Sequence, residues 1–225
     1  HTMDSGEIFI EGIDHPLVNH SPQEAQKNGI STVYQEVNLC LNISVAENIF
    51  TGRQPLTPLG AIKWKEMNRE ADRVLEQVGL KIDVTRPLGD YSVAVQQMVA
   101  IARAVDIKAR VLILDEPTSS LDEQEVQKLF FVMRRLKDRG VGIIFVTHFL
   151  EQVYEVCDTI TVLRNGRLAG RYTVSQLPRV QLVSKMLGHD FDDLAAIRTS
   201  AQEANLSHAD APSVLRAVGL SRTGT

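Results

Sequence analysis

The chain has 225 residues, of which 44% are hydrophobic and 23% are charged. Because these fractions lie near the average of folded globular domains, they exclude a wholly disordered chain, a fibrous repeat and a small disulfide-based scaffold. The 24 Lys and Arg residues against 28 Asp and Glu give a net charge of −4, which argues against duplex nucleic acid as a partner. The two cysteines, Cys40 and Cys157, lack metal-ligand spacing and fit a reducing cytosol.

The hydropathy and the two ends of the sequence bear on its location and completeness. The longest strongly apolar run, residues 142–146, is far shorter than the ~20 residues that cross a membrane. No signal peptide is visible. The sequence starts at His1 rather than Met, and residues 219–225 do not read as a natural end. We therefore expect this sequence to be part of a longer chain.

The first elements are predicted from alternation and from capping residues. Residues 6–12 alternate between polar and apolar side chains and are bracketed by glycines, which is typical of a strand. Ser21, followed by Pro and three residues later by Glu24, predicts the start of a helix that ends at Gly29. Residues 32–35 predict a second short strand.

The middle of the chain predicts two helices and two buried strands. Residues 65–78 and 92–105 carry apolar side chains at helical spacing. Residues 111–114 and 141–146 are continuously apolar, which predicts strands buried on both faces of a parallel sheet.

The later elements complete an alternation of strands and helices. They are a helix capped by Asp122 and ended by Gly140, a helix over 150–156, a hairpin of strands 158–163 and 167–170 around Asn165-Gly166, and a helix over 178–187. Residues 189–212 shift to Asp, Ala, Ser and His and predict a linker. The alternation predicts an α/β domain with a parallel sheet, in which ligands bind at the carboxyl ends of the strands.

The two buried strands are followed by polar residues that suit phosphoryl chemistry. Asp115 and Glu116 follow the first strand, and Thr147 and His148 follow the second. One carboxylate can bind Mg²⁺, usually through water, while the second accepts a proton from an attacking water. A histidine can contact the terminal phosphate and hold that water in line. An Asp-Glu pair alone is also typical of a strand that ends at a solvated edge. The surrounding sequence therefore has to decide between a solvated strand end and a phosphoryl-transfer site.

Three strings around these residues resemble the ATP-binding subunits of ABC transporters. They are Val-Leu-Ile-Leu-Asp-Glu-Pro-Thr-Ser-Ser-Leu-Asp at 111–122, Tyr-Ser-Val-Ala-Val-Gln-Gln at 91–97 and Tyr-Gln-Glu at 34–36. The resemblance covers residues 5–188. It implies an ABC-type P-loop nucleotide-binding domain of the α/β class, with a RecA-like core and a helical subdomain over about 39–109.

The resemblance also implies a role in ATP hydrolysis for each site residue. Asp115 acts on Mg²⁺, Glu116 is the general base, and His148 is the switch histidine. Gln35 senses Mg²⁺ and the lytic water, so it counts both as a catalytic and as a metal residue. Asp122 lies in the loop that faces the opposing subunit. The implied cofactors are ATP and Mg²⁺.

The string at 91–97 corresponds to the signature motif, which binds ATP held by a partner domain. The resemblance assigns this contact to Ser92, Val93, Ala94 and Gln96, with the helix N-terminus facing the γ-phosphate. Val93 and Ala94 stand where glycines are common, and a Cβ there limits the approach of backbone to phosphate. These substitutions leave open a half that binds nucleotide only for structure or regulation.

Within the family, residues 34–39, 92–97 and 145–150 are similar to the first nucleotide-binding half of bacterial monosaccharide importers, most of all the galactofuranose type. Those proteins carry two ATPase halves in one chain, and residues 213–225 resemble the start of the second. The implied partners are membrane permease subunits, a second nucleotide-binding half and, indirectly, a periplasmic sugar-binding protein, with no nucleic acid. The implied location is peripheral, on the cytoplasmic face of the bacterial inner membrane.

A Gly-x-x-x-x-Gly-Lys-[Ser/Thr] phosphate loop does not occur in the 225 residues. Each charge-assisted hydrogen bond of such a loop contributes roughly 1.5–3 kcal/mol. We therefore expect this chain by itself to bind ATP very weakly and not to hydrolyse it, although the parent protein does. The resemblance also implies that the strand before the loop lies between the strands predicted at 141–146 and 158–163.

A DNA-maintenance ATPase with related motifs is the alternative from another functional class. Such chains insert a long coiled coil between the positions of Gln35 and Ser92, which here are 57 residues apart with no heptad run. The favoured function is therefore the ATPase component of a monosaccharide importer, which couples ATP hydrolysis to sugar uptake.

Overall fold

The structure is a computed structural model that describes residues 5–10, 13, 16–17, 21–34 and 39–188. These residues form seven α-helices and five strands, and the chain divides into two units, residues 1–157 and 158–225. Among the described helices, none has both the length and the apolar character that a membrane span requires.

The first unit is built on a parallel three-stranded sheet with the order β1-β2-β3. Its elements are α1 (Pro22–Lys27), β1 (Ile30–Val33), α2 (Val45–Phe50), α3 (Trp64–Gln77), α4 (Val93–Asp106), β2 (Val111–Asp115), α5 (Glu123–Asp138), β3 (Gly142–Val146) and α6 (Leu150–Val156). Parallel neighbours require long crossover connections. Helices α2 to α4 form the connection from β1 to β2, and α5 connects β2 to β3.

One hydrophobic core joins the sheet to the helices of this unit. Leu112 and Leu114 of the central strand β2 are 1% and 0% exposed. Phe130 of α5 is fully buried and contacts the ring of Phe145 edge-on, with centroids 6.1 Å apart. The same cluster continues through α2, α3 and α4, so the helical segment and the sheet share a core.

Capping residues begin and end the helices where the sequence predicts. The Ser21 hydroxyl accepts a hydrogen bond from the Glu24 N–H at 3.2 Å. Asp122 and Glu125 form a reciprocal capping box at the start of α5, with N···O distances of 2.8 and 3.2 Å. Gly140, just beyond α5, has a φ of +85°, a conformation that glycine adopts without steric cost. The predicted helices around these residues are confirmed.

The second unit is described over residues 158–188 and consists of a hairpin and a helix. Strands β4 (Thr159–Arg164) and β5 (Arg167–Thr173) pair antiparallel, and α7 (Arg179–Leu187) follows. Asn165 and Gly166 both have positive φ angles, +50° and +74°, as a two-residue type I′ turn requires. The predicted hairpin and helix are thus confirmed.

The predicted strand over 6–12 is wrong for the residues that the structure describes, because residues 5–10 are not in a strand. The Leu17 N–H donates to the Ile8 carbonyl at 2.8 Å and the Ile13 N–H to the Ile10 carbonyl at 3.0 Å. These are separate bonds and not a ladder. Phe9 is 62% exposed, so the alternating pattern has no neighbouring strand or buried face to stabilise it.

Strand β3 is a real strand, but the prediction that it is buried is wrong. Ile144 and Val146 are 51% and 45% exposed. β3 pairs with β2 on one side only, so it forms an edge of the described sheet. Within the second unit, β4 pairs with β5. The predicted strand of the phosphate loop between β3 and β4 stays a prediction.

Helix α2 was not predicted, although Ser44 and Glu47 repeat the cap signal of Ser21 and Glu24, because its six residues are too few to show a helical period. Ser44 caps it in a capping box with Glu47. The side chain of Asn48, 1% exposed, accepts from the Cys40 N–H at 2.8 Å and donates to the Cys40 and Ser44 carbonyls. The predicted linker at 189–212 and second half at 213–225 lie outside the described residues.

Candidate functional site

The site lies at the carboxyl ends of β2 and β3. Asp115 is the last residue of β2 and pairs in register with Val146, the last residue of β3. Because the strands are parallel, both chains leave the sheet at the same edge. Glu116 follows β2 directly, and His148 comes two residues after β3. The register of the sheet therefore brings Asp115, Glu116 and His148 to the same edge.

Glu116 and His148 are in direct contact. The imidazole Nδ1 lies 2.6 Å from the carboxylate oxygen Oε2. Because an ionised carboxylate can only accept, Nδ1 carries the proton in this contact and Nε2 remains available on the other side of the ring. The Glu116 side chain is 24% exposed and that of His148 is 64% exposed, so water can reach the pair.

The backbone of Glu116 is strained. Its φ is +50°, in the left-handed region that residues with a Cβ rarely adopt. Such a conformation costs of order 1–3 kcal/mol and persists only where the surroundings enforce it. Here the Glu116 N–H donates to the Val146 carbonyl at 2.9 Å, which ties the turn after β2 to the end of β3.

Asp115 is a candidate ligand for Mg²⁺ that is bound together with a nucleotide. Mg²⁺ keeps several waters and is bound by one or two carboxylates together with substrate phosphates. Asp115 supplies one such carboxylate at the strand end. Among the described residues no group of three or more potential metal-ligating side chains occurs, so a closed all-protein cage is not formed there. Gln35, the other predicted metal residue, lies outside the described residues.

The signature residues form the start of helix α4. Ser92 is the N-cap, with its Oγ 3.5 Å from the Val95 backbone N and 3.4 Å from Glu125 Oε1. A cavity of about 390 Å³ opens beside Ser92 and is lined mostly by apolar side chains, among them Met98 and Phe131. The first turn of α4 therefore faces a partly open surface.

The other predicted nucleotide contacts differ in what they present. Val93 is 47% exposed, whereas Ala94 is 9% exposed and offers little beyond its backbone. The Gln96 amide donates to the Tyr91 carbonyl at 2.9 Å, so it closes the helix start onto its own chain. The Asp122 side chain accepts from the Glu125 N–H as the α5 cap. None of these contacts tests the predicted nucleotide roles.

Comparison with known proteins decides the family. Residues 1–119 match the family model described as ABC transporter. The chain belongs to the ABC transporter family. Fold likeness agrees: a crystal structure of the ADP conformation of an ATP-binding cassette superposes with a TM-score of 0.69 at 21% identity, covering 84% of this chain and 77% of that one. A dimeric structure of a bacterial ABC transporter cassette gives 0.61 at 22% identity, covering 77% and 75%. The predicted ABC-type α/β fold is confirmed.

Three curated members of the family show the sequence similarity. The chain is 52% identical over 195 residues to the galactofuranose transporter ATP-binding protein of Escherichia coli (strain K12), covering 87% of this chain. It is 43% identical over 224 residues to the fructose import ATP-binding protein of Bifidobacterium longum, covering 99%. It is 45% identical over 190 residues to a ribose import ATP-binding protein of Rubrobacter xylanophilus, covering 84%. The chain spans 38%, 43% and 37% of the length of these relatives.

Reading the sequence missed one contact in this ABC site. The hydroxyl of Thr118 donates to the amide oxygen of Gln152 at 2.7 Å, across 34 residues of sequence. Thr118 lies in the string at 111–122, but nothing in the spacing points to Gln152 as its partner. Only the packing of the loop after β2 against α6 brings the two side chains together.

Proposed function

We propose that this chain is the ATP-binding part of a monosaccharide importer and that the full-length protein couples ATP hydrolysis to sugar uptake. The observation that carries the ATPase proposal is the 2.6 Å contact between Glu116 and His148 at the ends of adjacent strands. The sugar class rests on the relatives, whose names refer to galactofuranose, fructose and ribose.

The proposed chemistry uses Glu116 and His148 as a pair. The Glu116 carboxylate accepts a proton from the attacking water, a role that needs a carboxylate within hydrogen-bond reach of that water. His148 donates to this carboxylate through Nδ1 and presents its other nitrogen, Nε2, towards the terminal phosphate. The contact between the two side chains fixes the position of the Glu116 carboxylate relative to His148 Nε2.

Asp115 and Gln35 complete the catalytic side of the proposed site. Asp115 would hold Mg²⁺ through its bound waters, and Gln35 would approach the same ion from the segment after β1. The Mg²⁺ ion supplies neutralisation of the phosphate charge when it is bound. Mg²⁺ as the metal is a proposal that rests on the strand-end position of Asp115 and on the preference of Mg²⁺ for carboxylates and phosphates.

The second side of each site would come from another nucleotide-binding half. In this chain, the residues that would serve the site of the other half are Ser92, Val93, Ala94 and Gln96 at the start of α4, and Asp122. A 14-residue helix with a serine N-cap has backbone N–H groups at its start that suit a phosphate. The dimeric cassette structure gives a related fold in which two copies meet.

The proposed docking surface for the membrane partners consists of exposed apolar side chains from the segment after β1 to the first residue of α3. Their exposed fractions range from 50% to 96%, and they are Leu41, Leu56, Leu59 and Trp64. Exposed apolar side chains clustered in one segment are typical of a protein contact. We propose that permease subunits dock here, that a periplasmic sugar-binding protein acts through them, and that the protein is peripheral on the cytoplasmic face of the inner membrane.

The two alternatives differ in how the structure bears on them. A DNA-maintenance ATPase would need a long coiled coil before the signature. Residues 39–91 instead hold the six-residue α2, the 14-residue α3 and a 3-10 turn, which supports the transporter. A regulatory, non-hydrolysing half remains the second candidate because Val93 and Ala94 add side chains at the start of α4.

Replacing the proposed general base separates these functions. In the full-length protein, Glu116→Gln removes the proton acceptor and keeps the size of the side chain. We expect ATP turnover to fall by about 10²–10⁴-fold, the usual contribution of a general base, with ATP still bound in a closed state. Steady-state turnover and retention of labelled ATP measure the two effects.

The control is Glu76→Gln, which changes an exposed carboxylate of α3 away from the site. It should leave turnover unchanged. If Glu116→Gln keeps most of the activity, this half is regulatory and the catalytic proposal is wrong. If neither the wild-type protein nor its variants hydrolyse ATP, the ATPase proposal itself fails.

A further inference from the structure

Packing explains the position of His148 only in part, since its ring contacts that of the adjacent Phe149, with centroids 4.0 Å apart. Its side chain is 64% exposed, and it precedes α6, a seven-residue helix with no buried residue. A short helix with an exposed surface has little core contact to fix it. Yet the imidazole must stay 2.6 Å from Glu116 for the pair to act together. Side-chain hydrogen bonds have to supply the missing constraint.

Side-chain hydrogen bonds attach α6 to the rest of the first unit near both of its ends, including one from the Arg134 guanidinium of α5 to the Glu155 carbonyl at 3.4 Å. Near its start, Gln152 accepts from the Thr118 hydroxyl at 2.7 Å. Near its end, Glu155 accepts from the Gln127 amide of α5 at 2.8 Å. The Thr118 bond joins α6 to the turn after β2, whereas the bonds at Glu155 join it to a surface helix.

The Thr118–Gln152 bond differs from the Gln127–Glu155 bond in burial. Thr118 is 3% exposed, whereas Gln127 and Glu155 lie on the surface. A buried hydroxyl needs its partner, because an unpaired buried polar group costs about 1–3 kcal/mol. The Thr118 bond is therefore kept while the turn stays folded, and the exposed bond competes with water.

Three bonds then connect the turn after β2 to the segment after β3. They are the Glu116 N–H to the Val146 carbonyl, Glu116 to His148, and Thr118 to Gln152. Only the third lies beyond the reacting side chains, on the side of α6. We propose that Thr118 is a positioning residue, which holds Gln152 and α6 so that His148 stays against Glu116. This inference rests on the proposed function for its effect on turnover, but not for its effect on the geometry.

The test compares two substitutions of Thr118 in the full-length protein. Thr118→Val has the same shape but no hydroxyl, and the half-buried Gln152 oxygen that loses its partner can accept from water instead, so the turn is expected to stay folded. Thr118→Ser keeps the hydroxyl. We expect Thr118→Val to lower kcat for ATP by about tenfold with KM changed less than about twofold, because a displaced catalytic group reduces the rate more than binding. Thr118→Ser should restore kcat.

A spectroscopic measurement follows the imidazole directly and needs no turnover. Selective ¹⁵N labelling of histidine, with a His148→Gln variant for assignment, separates the His148 resonances from those of the other histidines. The hydrogen-bonded Nδ1 signal should be the same in the wild type and Thr118→Ser and should change in Thr118→Val. Gln127→Met is the matched control, because it removes a surface bond between α5 and α6 and leaves the Thr118–Gln152 bond in place, and it should change neither signal nor kcat.

Each outcome decides the inference. It is overturned if Thr118→Val leaves the His148 signal unchanged, whatever happens to kcat, or if Gln127→Met changes that signal equally. If the signal changes but a hydrolysing wild type and Thr118→Val have the same kcat, Thr118 does not position the site for turnover. If the wild type does not hydrolyse ATP, the proposed function fails, and the His148 signal alone decides whether Thr118 positions the imidazole.

Discussion

At the scale of single residues, Glu116 combines an unfavourable backbone conformation with the side chain proposed as the general base. A φ of +50° suits glycine or asparagine far better than glutamate. The strain is tolerated because the same turn brings the carboxylate to His148 and its N–H to the Val146 carbonyl. Local rules of conformational preference fail at this residue, which is where a functional requirement opposes them.

Asp83 shows a second local effect that a pH experiment can measure. Its side chain accepts from the Thr85 hydroxyl at 2.6 Å and from the Thr85 N–H at 2.9 Å. These bonds favour the ionised form, so the pKa of Asp83 lies below its usual value of 3.8. The resulting stability is present above pH 3.8 and is lost as the pH falls through the lower, folded-state pKa.

Replacing Thr85 tests this dependence. Thr85→Val removes the hydroxyl bond, so its melting temperature should lie below that of the wild type at neutral pH. The difference should shrink in acid, as Asp83 becomes protonated in both proteins. Thr85→Ser keeps the hydroxyl and should show no such pH-dependent difference. A Thr85→Val deficit that stays constant from neutral pH into acid would contradict the assignment.

At the scale of elements, α1 and α2 have equal length but different environments. Each has six residues and a serine N-cap, Ser21 and Ser44. α2 buries five of its six residues, whereas α1 buries none. Helices this short are not stable by themselves, so tertiary packing decides what a cap contributes to the whole fold.

The two caps make a matched prediction. Ser44→Ala removes the acceptor for the Glu47 N–H and breaks the capping box, and should lower the free energy of unfolding by about 1–2 kcal/mol. Ser21→Ala should lower it by less than about 0.5 kcal/mol, because α1 can fray without exposing a core residue. Chemical denaturation measures both. Equal losses would contradict this prediction, because they would mean that the packing of α2 does not increase the contribution of its cap to the free energy of unfolding.

At the scale of the whole molecule, the core of the first unit joins sheet and helices through a few large side chains. Phe130 and Phe131 are neighbours on α5, but Phe130 is fully buried against Phe145 whereas Phe131 is 56% exposed. A residue of the same type therefore either fills the core or contacts solvent, depending only on the helix face. Cavity formation distinguishes the two positions.

We expect Phe130→Ala to lower the free energy of unfolding by about 3–5 kcal/mol, because it leaves a cavity between α5 and the sheet. Phe131→Ala leaves no such cavity, and we expect a loss below about 1 kcal/mol for an exposed position. Urea unfolding followed by circular dichroism provides the comparison. A similar loss for both variants would mean that the core does not depend on the α5–β3 contact.

Much of the fold follows from short-range sequence signals. The caps at Ser21 and Asp122, the turn at Asn165-Gly166 and the apolar run of β2 each act through residues within a few positions, so their elements are predictable. The site pair is predictable for a related reason. Parallel strands place Glu116 and His148 at one edge once both strands are recognised.

The sequence by itself determined the family motifs, the elements with strong local signals and the choice of Glu116 and His148 as the proposed reacting side chains. The tertiary structure alone decided that residues 5–10 form no strand, that β3 has exposed side chains, and that Thr118 meets Gln152. The reason is that strand pairing, burial and a bond across 34 residues depend on which segments pack together. Propensity and spacing describe each segment separately, and packing energy is shared between segments.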